Sequence, residues 1–191
     1  SPNMVAHLSQ FESHSGDRDG DHPVVSRLRL AAPQGAFALW SVGGGVLTWG
    51  NPEAGGGSND VQTQLQGVQH VAASDYAFAA ITDRQVVTWG EPSAGGDCSC
   101  VQHQLTNVCQ IHGSHAAFAA LLADGTVATW GDAEYGGDSS QVQGQLRGVK
   151  QIKATASAFA AILADGRVVA WGDADSGGDC SSVEDQLTDV C

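Results

Sequence analysis

The sequence predicts an all-β chain of tandem units of about 41 residues, each with a short helical turn. Three observations predict it. Trp-Gly pairs recur at Trp49-Gly50, Trp89-Gly90, Trp130-Gly131 and Trp171-Gly172, separated by 40, 41 and 41 residues. Phe37, Phe78, Phe118 and Phe159 recur with them, separated by 41, 40 and 41. Between each Phe and its Trp lie two apolar runs broken by a turn signal. Self-similarity at such a period marks an architecture whose units bury their faces on one another.

Each unit reads as a series of elements. Val149 and Ile152, matched by Val108/Ile111 and Val68/Val71, mark a short first strand. AFAAIL (Ala158 to Leu163) follows, a nearly continuous apolar run that suits a strand buried on both faces. Alanine is a weak strand former, so its abundance there predicts close approach of neighbouring backbones. Asp124-Gly125 and Asp165-Gly166 predict two-residue type I′ hairpin turns, which need positive φ at both central residues. Repeat one has Gly43-Gly44-Gly45 at this place. Repeat two has Asp83-Arg84 and one residue fewer between its Phe and its Trp. The returning strand, VVAWG, VATWG, VVTWG or VLTWG, is largely β-branched and ends on Trp. A polar loop with a double glycine comes next (Gly55-Gly56, Gly95-Gly96, Gly136-Gly137, Gly177-Gly178). The pairs Asn59/Gln62, Ser99/Gln102, Ser140/Gln143 and Ser181/Glu184 then match a capping box and predict a helix of one or two turns.

The repeat domain spans 27–191, with units over 28–63, 64–103, 104–144 and 145–185 and the opening of a fifth at 186–191. Residues 1–26 form a polar lead-in whose GDRDGDHP stretch lacks periodicity, which predicts poor order. The chain starts on Ser1 and ends inside a repeat at Cys191, which reads as a fragment of a longer protein.

Composition bounds the function. Eight Lys and Arg stand against 21 Asp and Glu, for a net charge of −13. That balance argues against nucleic acid bound through its phosphates. Arg147, Lys150 and Lys153 form a small basic cluster. No apolar run reaches the roughly 18–20 residues of a membrane span, and the N-terminus lacks the pattern of a secretory signal.

The units resemble the repeats of the regulator of chromosome condensation family. The matching stretches are QIKATASAFAAILADGRVVAWG (Gln151 to Gly172) and QIHGSHAAFAALLADGTVATWG (Gln110 to Gly131). The resemblance covers most of the chain and recurs in all four units. It implies β-propeller blades, here a propeller-like array or a partial-propeller arc. Three departures stand out. The family's usual Gly before the second strand is Ser74, Ser114 or Thr155, its usual His is Ala77, Ala117 or Ala158, and its Gly-Gln-Leu-Gly is Gly-Gly-Asp here.

Candidate chemistry lies in the variable loops. The carboxylates Asp173, Asp175 and Asp179, with Asp132, Glu134 and Asp138 one repeat earlier, have the alternate spacing of a calcium loop. The same acids are equally at home in solvated turns. Cys98/Cys109 and Cys180/Cys191 bracket equivalent loops and are candidate disulfides. Cys98, Cys100, Cys109, His112 and His115 have zinc-like spacing in one repeat only. Neither a nucleophile elbow nor a phosphate-binding loop occurs.

The expectation is a non-enzymatic protein-interaction scaffold with no cofactor and no metal. Its partners are proteins, with neither nucleic acid nor membrane expected. Its location is intracellular, in the cytoplasm rather than the nucleus. Glu134, Tyr135, Asp175 and Asp179 are the candidate binding residues. Phe37, Trp49, Phe78, Trp89, Phe118, Trp130, Phe159 and Trp171, with the turn residues Gly125 and Gly166, are structural. The resemblance also implies two alternatives, a regulatory or substrate-recruiting region of a HECT-type ubiquitin ligase and one of a guanine-nucleotide exchange factor. The acidic loops supply another, a calcium-binding repeat module.

Overall fold

The structure, a computed structural model, describes residues 28–186. The lead-in 1–26 and the end of the fifth-repeat opening lie outside the described residues. Twelve strands form four three-stranded antiparallel meanders, one per repeat. These blades are β1–β3 (Arg29–Ala31, Ala36–Trp40, Val46–Gly50), β4–β6 (Val68–Ala73, Ala77–Thr82, Val86–Gly90), β7–β9 (Val108–Gly113, Ala117–Leu122, Val127–Gly131) and β10–β12 (Val149–Ala154, Ala158–Leu163, Val168–Gly172). The array is open.

Blades stack face to face, and strand parity shows how. Side chains alternate faces along a strand. In the central strand β5, Phe78 and Ala80 belong to a core shared with the first blade, while Ala77 and Ala79 belong to one shared with the third. The same alternation recurs in β8. Strands β5 and β8 are therefore each sandwiched between two sheets, and their alanines at 77, 79, 80, 117, 119 and 120 are fully buried. Small side chains let the sheets pack closely.

One joint is reused at every blade contact. Phe78 stacks on Trp89 at 5.1 Å, Phe118 on Trp130 at 5.3 Å and Phe159 on Trp171 at 5.4 Å. The ring pair leans on the preceding blade's glycine loop. Trp89 Nε1 donates to the Gly55 carbonyl at 3.0 Å, Trp130 Nε1 to Gly95 at 3.0 Å and Trp171 Nε1 to Gly136 at 3.1 Å. The double glycine has two separate causes. Gly136 has φ +90, and a Cβ there would meet the Phe159 ring at 2.6 Å. A Cβ on Gly137 would meet the Gly131 backbone carbonyl.

Two local expectations are corrected. The Asp-Gly hairpins are three-residue loops, closed by Leu122 N–H to Thr126 O at 3.0 Å and Leu163 N–H to Arg167 O at 2.9 Å. Only the glycines, Gly125 at φ +80 and Gly166 at φ +83, take the left-handed conformation. That matches a type I turn followed by a glycine bulge. Repeat two closes on two residues, Thr82 N–H to Gln85 O at 2.9 Å, with the Thr82 hydroxyl donating to the same carbonyl. Its missing residue is the bulge.

The capping boxes do not form as boxes. The segment is a run of i→i+3 turns, such as Val61 N–H to Ser58 O and Gln64 N–H to Val61 O, and a 3-10 stretch at Ser181–Gln186 in the last repeat. Gln62 reaches sideways, donating from Nε2 to the Val46 carbonyl at 3.1 Å and accepting from the Ser58 hydroxyl at 3.0 Å. Gln143 does the same with Val127 and Ser139. Cys98 replaces that serine in repeat two, its thiol donating to Gln102 Oε1 at 3.0 Å. The side chain thus satisfies a sheet carbonyl instead of its own turn.

Candidate functional site

The loop after each Trp-Gly is a short 3-10 turn capped by its first residue. Asn51 Oδ1, Asp132 Oδ1 and Asp173 Oδ1 accept from the backbone N–H two residues on, Asp132 from Glu134 at 2.9 Å. The loop is also tied to the start of the second strand. Ser114 Oγ donates to the Tyr135 carbonyl at 2.8 Å, Ser74 Oγ to Ala94 O at 3.0 Å and Thr155 Oγ1 to Ser176 O at 3.1 Å. These hydroxyls stand where the resembled family has Gly, and they fix the loop end of each blade.

At that end the turns of all four blades converge on a groove of about 290 Å³ lined by Pro33, Ser74, Asp75, Ser114, His115 and Ala156, among others. A hydrogen-bonded row crosses three blades there. Gln34 Nε2 donates to Asp75 Oδ2 at 2.8 Å, and His115 Nδ1 donates to the same oxygen at 2.7 Å. The His115 ring lies edge-on to Tyr76 at 5.5 Å and tilted against Tyr135 at 4.8 Å. Tyr135 and Glu134 continue into a second groove of about 420 Å³ with Ser157 and Asp173. The result is a half-exposed aromatic–imidazole patch bordered by carboxylates.

Of the candidate binding residues, Glu134 and Tyr135 share this groove. Asp175 sits exposed on the next blade's 3-10 turn, outside the groove lining. Asp179 lies beyond it, where its carboxylate accepts from the Ser181 N–H at 2.8 Å. That bond holds its pKa below the usual carboxylate range, as the Ser140 N–H does for Asp138. Asp75 and Tyr76 were not singled out from sequence, and His115 was read only as one of a zinc-like set. Their signal was weak, since they occupy two adjacent register positions that hold unrelated residues elsewhere, such as Gln34 and Ala156.

The alternative ligand sets are dispersed. Among the described residues no three His, Cys, Asp or Glu side chains are placed to share a metal ion. Cys98 is buried and free and Cys109 exposed and free. His115 is engaged with Asp75. Cys191 lies outside the described residues.

A second surface has the opposite character. The first strands of successive blades run side by side. They carry Arg29, His70, Gln110 and His112 into a groove of about 600 Å³ that Arg84 and Asp83 also line. Burial lowers the pKa of His70, with Arg29 adding to the effect. Burial lowers that of His112 too, helped by Lys153 and His70. The fold therefore favours the neutral form of both rings. An unfolded chain binds these protons near the ordinary pH of about 6.5, the folded chain only below it. Stability is complete above that pH and is lost as pH falls through the depressed folded values. The melting temperature is expected to drop on acidification from neutrality, and His70→Gln with His112→Gln to flatten that drop. An unchanged profile in the double variant, followed by calorimetry, would refute the assignment.

Comparison with known proteins places the fold. No family model matches the chain, and no curated protein does. Solved structures do. Human WBSCR16 superposes with a TM-score of 0.59 at 20% identity, covering 94% of this chain and 55% of that one. Prp20p from Saccharomyces cerevisiae, from a structure whose description includes its binding properties to Gsp1p and histones, gives 0.54 at 18%, covering 88% and 51%. Yeast RCC1 (Prp20) with Kap60 bound gives 0.57 at 18%, covering 89% and 49%. These are RCC1-type β-propellers, and the chain has their blade fold. It spans about half of their length.

Proposed function

We propose that the chain is a non-enzymatic protein-interaction scaffold whose reading surface is the loop end of the blades, and that its partner presents a basic segment. The observation that carries the reading is the pinned cluster of Tyr76, His115 and Tyr135, bordered by Glu134 and Asp173. Aromatic side chains offer large contact area with few torsions to freeze, and loops held on a rigid frame are where repeat proteins read partners. The net charge of −13 favours a cationic partner. The likeness to Prp20p, whose structure is described with Gsp1p and histones, agrees with a protein partner of that character. It also favours, as a second reading, a recruiting region of an exchange factor for a small GTPase. The free thiols of Cys98, Cys100, Cys109 and Cys180 fit the reducing interior of a cell, and we place the protein in the cytoplasm.

The test is titration of the chain with a Lys/Arg-rich peptide, followed by NMR. The expected shifts fall on Tyr76, His115 and Tyr135. Tyr135→Ala is expected to weaken binding by about 2 kcal/mol, roughly thirtyfold, as for a central aromatic anchor. Equal affinity in that variant, or shifts confined to the inner strands, would contradict the reading.

A further inference from the structure

A chain of net charge −13 carries a groove of the opposite character between its two inner blades. The groove of about 600 Å³ is walled by the first strands β4 and β7 and by the hairpin turn of the second blade, and only Arg29 comes from outside these two blades. Both blades have a described blade on either side, so neither end of the chain shapes the walls. Two departures from the repeat open it. The second hairpin closes on two residues, Thr82 N–H to Gln85 O, where the third and fourth blades use three. Thr82 itself stands where the bulkier Leu122 and Leu163 are buried in the other blades.

Further departures furnish it. His70 stands where the next two repeats have Gln110 and Gln151, and His112 where its neighbours have Ala72 and Lys153. Asn107 sits at φ +53, a left-handed conformation that Gly67 and Gly148 supply in the other repeats at φ +66. What the fold requires recurs in every unit. These residues do not recur, and they meet in one place. The charge balance there is positive. Arg29 and Arg84 line the groove, and among the described residues neither has an acid within ion-pair distance. The acid in the lining, Asp83, is turned away. Its Oδ1 accepts from Gln69 Nε2 at 2.7 Å, and its carboxylate lies over Gly67, where a Cβ would strike it. Lys153 of the fourth blade adds its charge at His112. His112 Nε2 meets Gln110 Oε1 at 3.3 Å, while the His70 ring has no hydrogen bond among the described residues. Each neutral imidazole has one N–H to donate.

We propose that this groove binds a small phosphate ester, its phosphate held by Arg84, Arg29 and the His70 and His112 rings, and its organic part set against Ile81 and Val108. The volume lies within the range of about 300–1,000 Å³ typical of small-molecule sites. Ile81 and Val108 are partly exposed and give it an apolar wall. A phosphate monoester brings nearly two negative charges and three acceptor oxygens, which suits two guanidinium groups and two imidazole N–H donors. Arginine pairs with phosphate through two parallel hydrogen bonds. A carboxylate brings one charge and two oxygens, and leaves more of these donors unmatched.

Titration calorimetry of the full chain with phenyl phosphate tests this, with inorganic phosphate and benzoate as the comparison probes. Phenyl phosphate is expected to bind one to one and more tightly than either. Arg84→Gln is expected to weaken it roughly tenfold or more, as for a lost hydrogen bond to a charged group. Arg167→Gln removes a cation from the fourth blade's hairpin, where it pairs with Asp165 at 2.9 Å, and is expected to leave the affinity unchanged. Both arginines are exposed, and near-UV circular dichroism checks that each variant keeps its Phe–Trp stacks. A second readout needs no variant. Cys109 lines the groove and Cys100 does not, and both are exposed. Bound phenyl phosphate is expected to slow alkylation of Cys109 and leave that of Cys100 as it was. Absence of binding at millimolar phenyl phosphate would overturn the proposal. So would equal affinity for inorganic phosphate or benzoate, equal losses in the two arginine variants, or a Cys109 that alkylates at its free rate in the complex.

Discussion

Trp130→Ala is expected to destabilise the protein by about 3–5 kcal/mol, the range for truncating a buried aromatic. Trp130 is 2% exposed, stacks on Phe118 and donates its indole N–H to Gly95 at 3.0 Å. Removing it opens a cavity and leaves the Gly95 carbonyl without its donor. A domain of this size has about 5–15 kcal/mol in all, so the loss is a large share. Trp49→Ala is the control. It deletes the same side chain where it is 40% exposed, and its cost is expected to be much smaller. Equilibrium urea unfolding measures both. Equal losses would mean that burial at the blade joint does not set the energetics.

Gly136→Ala has the second large effect, with two separable parts. The backbone at φ +90 disfavours any Cβ, at about 1–2 kcal/mol. The Cβ would also lie 2.6 Å from the Phe159 ring, which Trp171 backs at 5.4 Å. Displacing a packed ring costs about 1–3 kcal/mol more. Gly177→Ala carries the backbone part alone, since φ is +97 there and nothing lies within 4 Å among the described residues. The difference between the two variants isolates the joint. If they cost the same, the Phe–glycine contact contributes nothing.

Much of this was legible in the sequence, for a physical reason. The repeat multiplies each signal by four, so that Phe78, Phe118 and Phe159 with Trp89, Trp130 and Trp171 mark the core without any long-range information, while Phe37 and Trp49 carry the same signal and are exposed. The alanine runs announced close packing, and the fully buried Ala79 and Ala119 bear that out. What sequence could not show was direction. Nothing in Trp130 says that its indole reaches back to Gly95 in another repeat. Gln62 has the composition of a capping box and serves the Val46 carbonyl instead. The turn at Gly125 takes a bulge because one more residue fits the loop than the Asp-Gly pair alone suggests. The rim cluster was hidden for a related reason. Asp75 and His115 meet only because successive blades stack, and they do so once in the array. Tyr135 was visible as a variable loop residue, but its partners were not.

The central claim is that one Phe–Trp–glycine joint, reused between blades, holds the loop rim rigid. Hydrogen exchange of the indole N–H groups, read by NMR, tests it most directly. Trp89, Trp130 and Trp171 donate to glycine carbonyls across blades, and all three are expected to exchange only through the global unfolding that also exposes the central strands. Trp49, which is 40% exposed, is expected to exchange much faster than these three. Free exchange at any of the three internal indoles, or a Trp49 as protected as they are, would contradict the account.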